Sequence, residues 1–554
     1  MPTISTPGTP VTTPMNFVGL ARPPRVTDNS SNGYGSTSIW AANGELYAPT
    51  VAPDTNSALW QKIENVGGSC FTDVATAANT IFAGGLVSMK SGFTGPAIDI
   101  SVTIATTPTT FTINILTSGE IDVVALQAAM GQADASTAVT CIKLYDQSGA
   151  GNHYVKNASY PAPYVAYDAL LGRYCLQFDG KTATPRVLQA PAGVITTGTL
   201  SSGFGVTGNS FTTAVYGRGT CCSVNAGALG SWALGDMLNP TTGDRRFLAP
   251  LAQTSGEYQF WRNGSAVATT PKVAVDLNPC YTLTSSSTTL ATVSVNEEIG
   301  TLSISSDTAV YTSGYIGSWS PATSSRSSHR VVSFAVAKVA LTAAQQTILR
   351  NGHYARFDIR PQVLDQVYLI GDSRTASALP LAQRYESVAT LLADRVARAA
   401  RVYGFGNDSH TSALMGSTTI PFAVARYKTG VRNTAIMLAG VNDFIVSALT
   451  PAQSLAAIQA NCLTLKNAGF RVILINELAC TTATNSANTN LPILRGLIAA
   501  AGTSGMNCDY ILDLNQYAGF ATPATAAYYS DGLHPTVALD EVWASALVPL
   551  LNLA

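Results

Sequence analysis

Proton-transfer chemistry at neutral pH needs a base, and histidine is the side chain whose ordinary range suits it. The 554-residue chain has five histidines, and beyond residue 360 only His410 and His534. His534 ends the run Asp531-Gly532-Leu533-His534, which puts a carboxylate three positions from the imidazole on one short loop. At that spacing Asp531 can hold Nδ1 while Nε2 faces a hydroxyl. A hydroxyl is supplied by Gly371-Asp372-Ser373-Arg374, where a glycine lets the chain turn tightly, and an uncharged amide donor by Gly440-Val441-Asn442-Asp443. Acyl transfer requires a nucleophile, a base, a carboxylate that orients the base, and donors aimed at the developing oxyanion. The residues expected in those roles are Ser373, His534, Asp531, and, for the oxyanion, the Asn442 side chain with the Ser373 backbone N–H. Asp372 and Asp443 read as loop braces, and His410 as a polar loop residue.

These segments fall where the hydrophobic pattern predicts strand ends. After Arg360, apolar runs at 367–370, 401–405, 434–440, 471–476 and 510–514 alternate with amphipathic stretches such as PAQSLAAIQANCLTLKNAG and ALDEVWASALVPLLNL. Uninterrupted apolar runs suit parallel strands buried on both faces. The region 360–554 is therefore expected to be a three-layer α/β domain of the flavodoxin-like kind, with its site at the carboxyl ends of the strands.

The ordered blocks Gly371-Asp372-Ser373, Gly440-Val441-Asn442-Asp443 and Asp531-Gly532-Leu533-His534 resemble the SGNH or GDSL-type serine hydrolases over about residues 365–554. The resemblance implies Ser373 as nucleophile, Asn442 as oxyanion donor, His534 as base and Asp531 as its partner. The family's glycine block departs from its usual form: the loop reads Gly404-Phe405-Gly406-Asn407-Asp408-Ser409-His410-Thr411. Either Gly406 or the backbone N–H of Ser409 is the implied third donor. Arg374 replaces the leucine of the family's commonest name motif and is expected to contact an anionic or polyhydroxylated substrate.

Upstream, residues 1–35 are rich in Pro, Thr, Ser and Gly and predict a flexible leader. Residues 36–75 suggest a small β module with Asn43-Gly44 as a hairpin turn. From 76 to 359, short β-branched and aromatic runs between Gly, Asn and Ser turns predict an all-β jelly-roll sandwich, closed by a helix capped at Thr342. The segments at 91–102, 141–153 and 174–180 resemble concanavalin-A-like sandwiches of laminin-G-type modules and of arabinofuranosidase-B-type glycosidases. The 141–153 segment reads as a rigid turn. Cys221-Cys222 resembles a vicinal pair of that glycosidase family, whether bridged or as separate thiols. Asp236 finds no acidic partner for glycoside hydrolysis, so carbohydrate binding or packing is the expected role, with Tyr154, Tyr160, Tyr164 and Trp261 as candidate sugar platforms.

Composition removes other classes of function. Lys and Arg number 31 against 32 Asp and Glu, charged residues make up only 11%, and no basic run occurs, which disfavours nucleic acid as a partner. No stretch of 18 apolar residues predicts membrane insertion, and the first residues lack the cationic start and apolar core of a Sec-type signal peptide. The nine cysteines show no C-x-x-C spacing, so neither metal nor cofactor is expected. The reading as a whole is a serine esterase removing O-acyl groups, chiefly acetyl, from a polysaccharide. The leader and β module resemble phage tail proteins, which implies an extracellular or virion-associated homotrimer. The alternatives are a glycan-binding adhesin on an inactive hydrolase fold and a glycosidase acting through the sandwich.

Overall fold

The computed structural model describes residues 70–178 except 77, 135–137 and 169, then 186–190, 329–357, 365–375, 387–396, 400–481 except 408, and 487–551. It adds short strands within 16–62 and 211–316. Near the start, Ile39–Ala42 and Glu45–Pro49 pair antiparallel as a hairpin, and Trp60–Lys62 adds to the second strand. The turn residues Asn43 and Gly44 lie outside the described residues. Asn16–Leu20, within the segment expected to be a leader, is a strand paired parallel to Ile39–Ala42.

From Thr80 to Ala337 the strands form one antiparallel network. His329–Ala337 is its axis, pairing with Thr80–Gly85 on one side and Phe211–Gly219 on the other. Alternation along that strand buries both faces. Val331, Phe334 and Val336 join the inner core with Ile98, Ile100, Leu144 and Phe178, whereas Val332, Ala335 and Ala337 meet Phe71 and Leu349. The second set lies beneath two helices, Phe71–Ala75 and Ala343–Phe357. Thr342 caps the latter as predicted: its Oγ1 accepts from Gln345 N at 3.3 Å while Gln345 Oε1 accepts from Thr342 N at 3.0 Å.

The expected rigid turn at 141–153 is built around Asp146. Its carboxylate accepts from the backbone N–H groups of Ala83, Ser148 and Asn152, at 3.1, 3.0 and 3.1 Å. Two proposed sugar platforms are otherwise engaged: Tyr154 is in the core, edge-on to Phe82, and the Arg186 guanidinium covers the Tyr164 ring. Cys221, Cys222 and the side chains of Asp236 and Trp261 lie outside the described residues.

The last part of the chain is a five-stranded parallel sheet. Its strands are β1 (Asp365–Gly371), β2 (Ala400–Gly406), β3 (Asn433–Met437), β4 (Arg471–Asn476) and β5 (Tyr510–Asp513). Their order is 2-1-3-4-5. The main helices are α1 (Val388–Val396), α2 (Val441–Ile445), α3 (Pro451–Asn467), α4 (Ala487–Gly505) and α5 (Val537–Leu551). Successive strand residues point to opposite faces, so Val367 and Leu369 pack with α1 and α5, and Tyr368 and Ile370 with α3 and α4. This is the predicted three-layer arrangement. The order reverses between β1 and β3, and such a switch point opens a crevice at the strands' carboxyl ends.

The two parts of the chain touch. Arg218, on the strand Phe211–Gly219, lies 2.6 Å from Asp394 of α1, and Arg426 lies 3.6 Å from Glu298.

Candidate active site

β1 ends at Gly371 because the next turn comes too close for a side chain. A Cβ there would lie 2.5 Å from Thr375 Oγ1 and 2.8 Å from Leu438 O. Thr375 N donates back to Asp372 O at 3.1 Å, closing a turn that lifts Ser373 to a half-exposed position between buried Asp372 and Arg374. The base arrives from the other end of the domain. Asp531 Oδ1 accepts from the backbone N–H of Leu533 at 3.0 Å and of His534 at 2.8 Å, so the aspartate shapes its own loop. Gly532, with φ of 78°, packs against Thr481, whose N–H donates to the Gly532 carbonyl at 2.8 Å.

The expected catalytic residues meet. His534 Nδ1 lies 2.7 Å from Asp531 Oδ2, and Nε2 lies 2.9 Å from Ser373 Oγ. The carboxylate therefore fixes the tautomer with hydrogen on Nδ1, leaving Nε2 to accept from the serine hydroxyl. Partial burial works against ionisation of Asp531, but the ring and backbone hydrogen bonds from His534 outweigh it and hold the carboxyl well below its ordinary range.

Asn442 follows β3 in the first turn of α2 and is buried, with Nδ2 donating to His410 O at 3.2 Å. One amide hydrogen is thus anchored on the glycine loop and the second is left for an oxyanion. Asp443 braces the same corner, accepting from Ser412 N and Ser412 Oγ at 2.7 Å each and from Ser454 Oγ. In the glycine loop, Gly406 is the last residue of β2, in register with Gly371, while Ser409 takes the left-handed conformation at φ of 59°. A serine holds that conformation at a cost of about 1–2 kcal/mol. His410 is a loop residue, 3.3 Å from Thr419 Oγ1, and burial lowers its pKa.

Arg374 does not face substrate. Its side chain is wholly buried and lies between two carboxylates. Nε and Nη2 reach Asp372 at 3.0 and 2.6 Å, and Nη1 and Nη2 reach Glu477 at 2.7 and 2.8 Å. Burial disfavours its charge, but the two carboxylates reverse that and raise its pKa well above the ordinary value. A cation next to a nucleophile suggests a surface contact; here it is consumed by the protein's own acids. Glu477 was not among the sequence-derived candidates. The only signal for it is position, a carboxylate directly after the apolar strand β4. Among the described residues no cluster of His, Cys, Asp and Glu could hold a metal ion, and no helix is long and apolar enough to cross a membrane.

No family model matches the chain, and no curated protein does. Among solved structures the chain is similar to an arabinofuranosidase complexed with arabinofuranosyl-alpha-1,2-xylobiose, at 12% identity and a TM-score of 0.39, over 52% of this chain and 65% of that one. This chain thus spans less than two thirds of that enzyme's length. It is also similar to a member of the lipolytic G-D-S-L family from Veillonella parvula DSM 2008, at 12% identity and a TM-score of 0.30, over 34% of this chain and 98% of that one. An acetyl xylan esterase aligns at 16% identity and a TM-score of 0.29, over 34% of this chain and 99% of that one.

Proposed function

We propose that the protein is a serine esterase that removes O-acyl groups, chiefly acetyl, from a polysaccharide. The observation carrying this reading is the continuous hydrogen-bonded line from Asp531 through both nitrogens of His534 to Ser373 Oγ, at 2.7 and 2.9 Å. As Ser373 Oγ attacks the ester carbonyl, His534 Nε2 takes its proton, and the nearby Asp531 carboxylate stabilises the imidazolium without itself being protonated. The negative charge developing on the carbonyl oxygen falls to Asn442 Nδ2 and the Ser373 N–H, donors held in place before reaction. Collapse of the tetrahedral species passes the proton from His534 to the departing sugar alkoxide. Water, activated by the same imidazole, then releases the carboxylate and regenerates the serine. The glycan as acyl carrier is inferred from the sandwich resemblance and from its attachment to this domain.

The test is p-nitrophenyl acetate turnover and acetate release from acetylated glycans by wild type and Ser373→Ala. The expected result is a loss of about 10⁴-fold or more in the variant. Equal rates would end the esterase reading. Release of reducing sugar that persists in Ser373→Ala would place the chemistry in the sandwich instead.

A further inference from the structure

The hydrogen bonds of Glu477 run in two directions at once. Its Oε1 accepts from the backbone N–H of Val441 at 2.9 Å, the residue immediately before Asn442. The same carboxylate holds the guanidinium of Arg374, the residue immediately after Ser373, and Oε2 also accepts from Leu478 N at 3.0 Å. Arg374 in turn grips Asp372, immediately before Ser373. The contact with the Asn442 loop is close by construction: Gly440 has φ of 141°, and a Cβ there would lie 2.8 Å from Glu477 Oε1 and 2.7 Å from Leu494 Cδ2. Glu477, Asp372 and Arg374 are all buried, so no water competes for these bonds.

We propose that Glu477 and Arg374 are positioning residues, a buried clamp from the tip of β4 that sets the distance between the nucleophile turn and the oxyanion amide of Asn442. The inference rests on the reading of Ser373 as nucleophile and adds to it a residue that touches no substrate. Because the oxyanion exists only in the transition state, a displaced Asn442 weakens kcat and leaves KM unchanged. The His534–Asp531 pair lies outside the clamp, so the pH profile keeps its shape.

The experiment is a double-mutant cycle. Glu477→Gln keeps the shape but, whichever way the amide turns, sets an NH2 against the guanidinium. Its expected effect is a fall in kcat of about 10²-fold with KM within about twofold. In an Asn442→Ala background the same substitution is expected to lower kcat by less than about threefold, since the group it positions is gone. Glu477→Asp retains the charge yet is one methylene short of Val441, and serves as the second variant should the amide fail to fold. An equal kcat loss in both backgrounds, a rise in KM instead, or a displaced pH profile would overturn the clamp while leaving Ser373-dependent turnover intact. Wild type no faster than Ser373→Ala would end the esterase reading and the clamp with it.

Discussion

Asp531 receives three hydrogen bonds from the loop it begins, one from an imidazole nitrogen and two from backbone N–H groups. A carboxylate so surrounded stays ionised at acidities where an ordinary one is protonated. The depressed pKa works in one direction here: on lowering pH the aspartate keeps its charge until strong acid. Between about pH 4 and 8 Asp531 should therefore add no ionisation of its own to the kcat/KM profile. Two ionisations in that interval would show Asp531 titrating normally. Asp531→Asn should cost about 10⁴-fold in kcat, because the amide can hold the wrong tautomer, with little change in melting temperature. That Ser373, His534 and Asp531 come together was readable because groups suited to proton transfer have few chemical alternatives and lie in short, ordered blocks. Arg374 was misread for the converse reason. One of its two partners, Glu477, is 103 residues away in sequence, and no local pattern distinguishes a cation that will be buried from one that will meet substrate.

At the scale of elements, α1 and α5 are joined by a buried acid. Asp540, on α5, is sealed from solvent near Val388, the first residue of α1, and its Oδ1 has no hydrogen-bond partner among the described residues. Burial raises its pKa well above the ordinary value, and the Val388 N–H only partly opposes this. The folded state therefore keeps the proton where the unfolded chain releases it. Stability from this group is full below about pH 4, the unfolded value, and falls as pH rises toward the folded one. Asp540→Asn keeps an acceptor and removes the titration. Its melting temperature should differ little from wild type near pH 4 and exceed it by several degrees near pH 8; a constant difference across that range would refute the assignment. Strands were the most legible elements, since each apolar run returns within three residues or fewer at either end. Less legible was the segment Ser412–Val424, in which a π-helical turn at Met415–Thr419 interrupts two short α pieces. Its Gly416 and adjacent threonines carry no helical signature; the segment is held by tertiary bonds such as that from Asn461 Nδ2 to Ser412 O at 2.8 Å.

Across the whole molecule, Arg218 joins the antiparallel and parallel parts. It is fully buried, its Nε 2.7 Å from Asp168 and its Nη2 2.6 Å from Asp394 of α1, and Arg330 shares Asp168. Asp394→Ala would strand one face of a desolvated guanidinium, at a cost of about 1–3 kcal/mol. Calorimetry should show the loss, and Asp394→Asn, which still offers an oxygen, should recover most of it; an Ala variant as stable as wild type would mean that the two parts do not support one another here. Ser373 and His534 are 161 residues apart in the chain. At ordinary rates of translation Ser373 is made about 10–30 s before His534. A nascent copy thus passes through an interval in which Ser373 has been made and the proposed site still lacks His534.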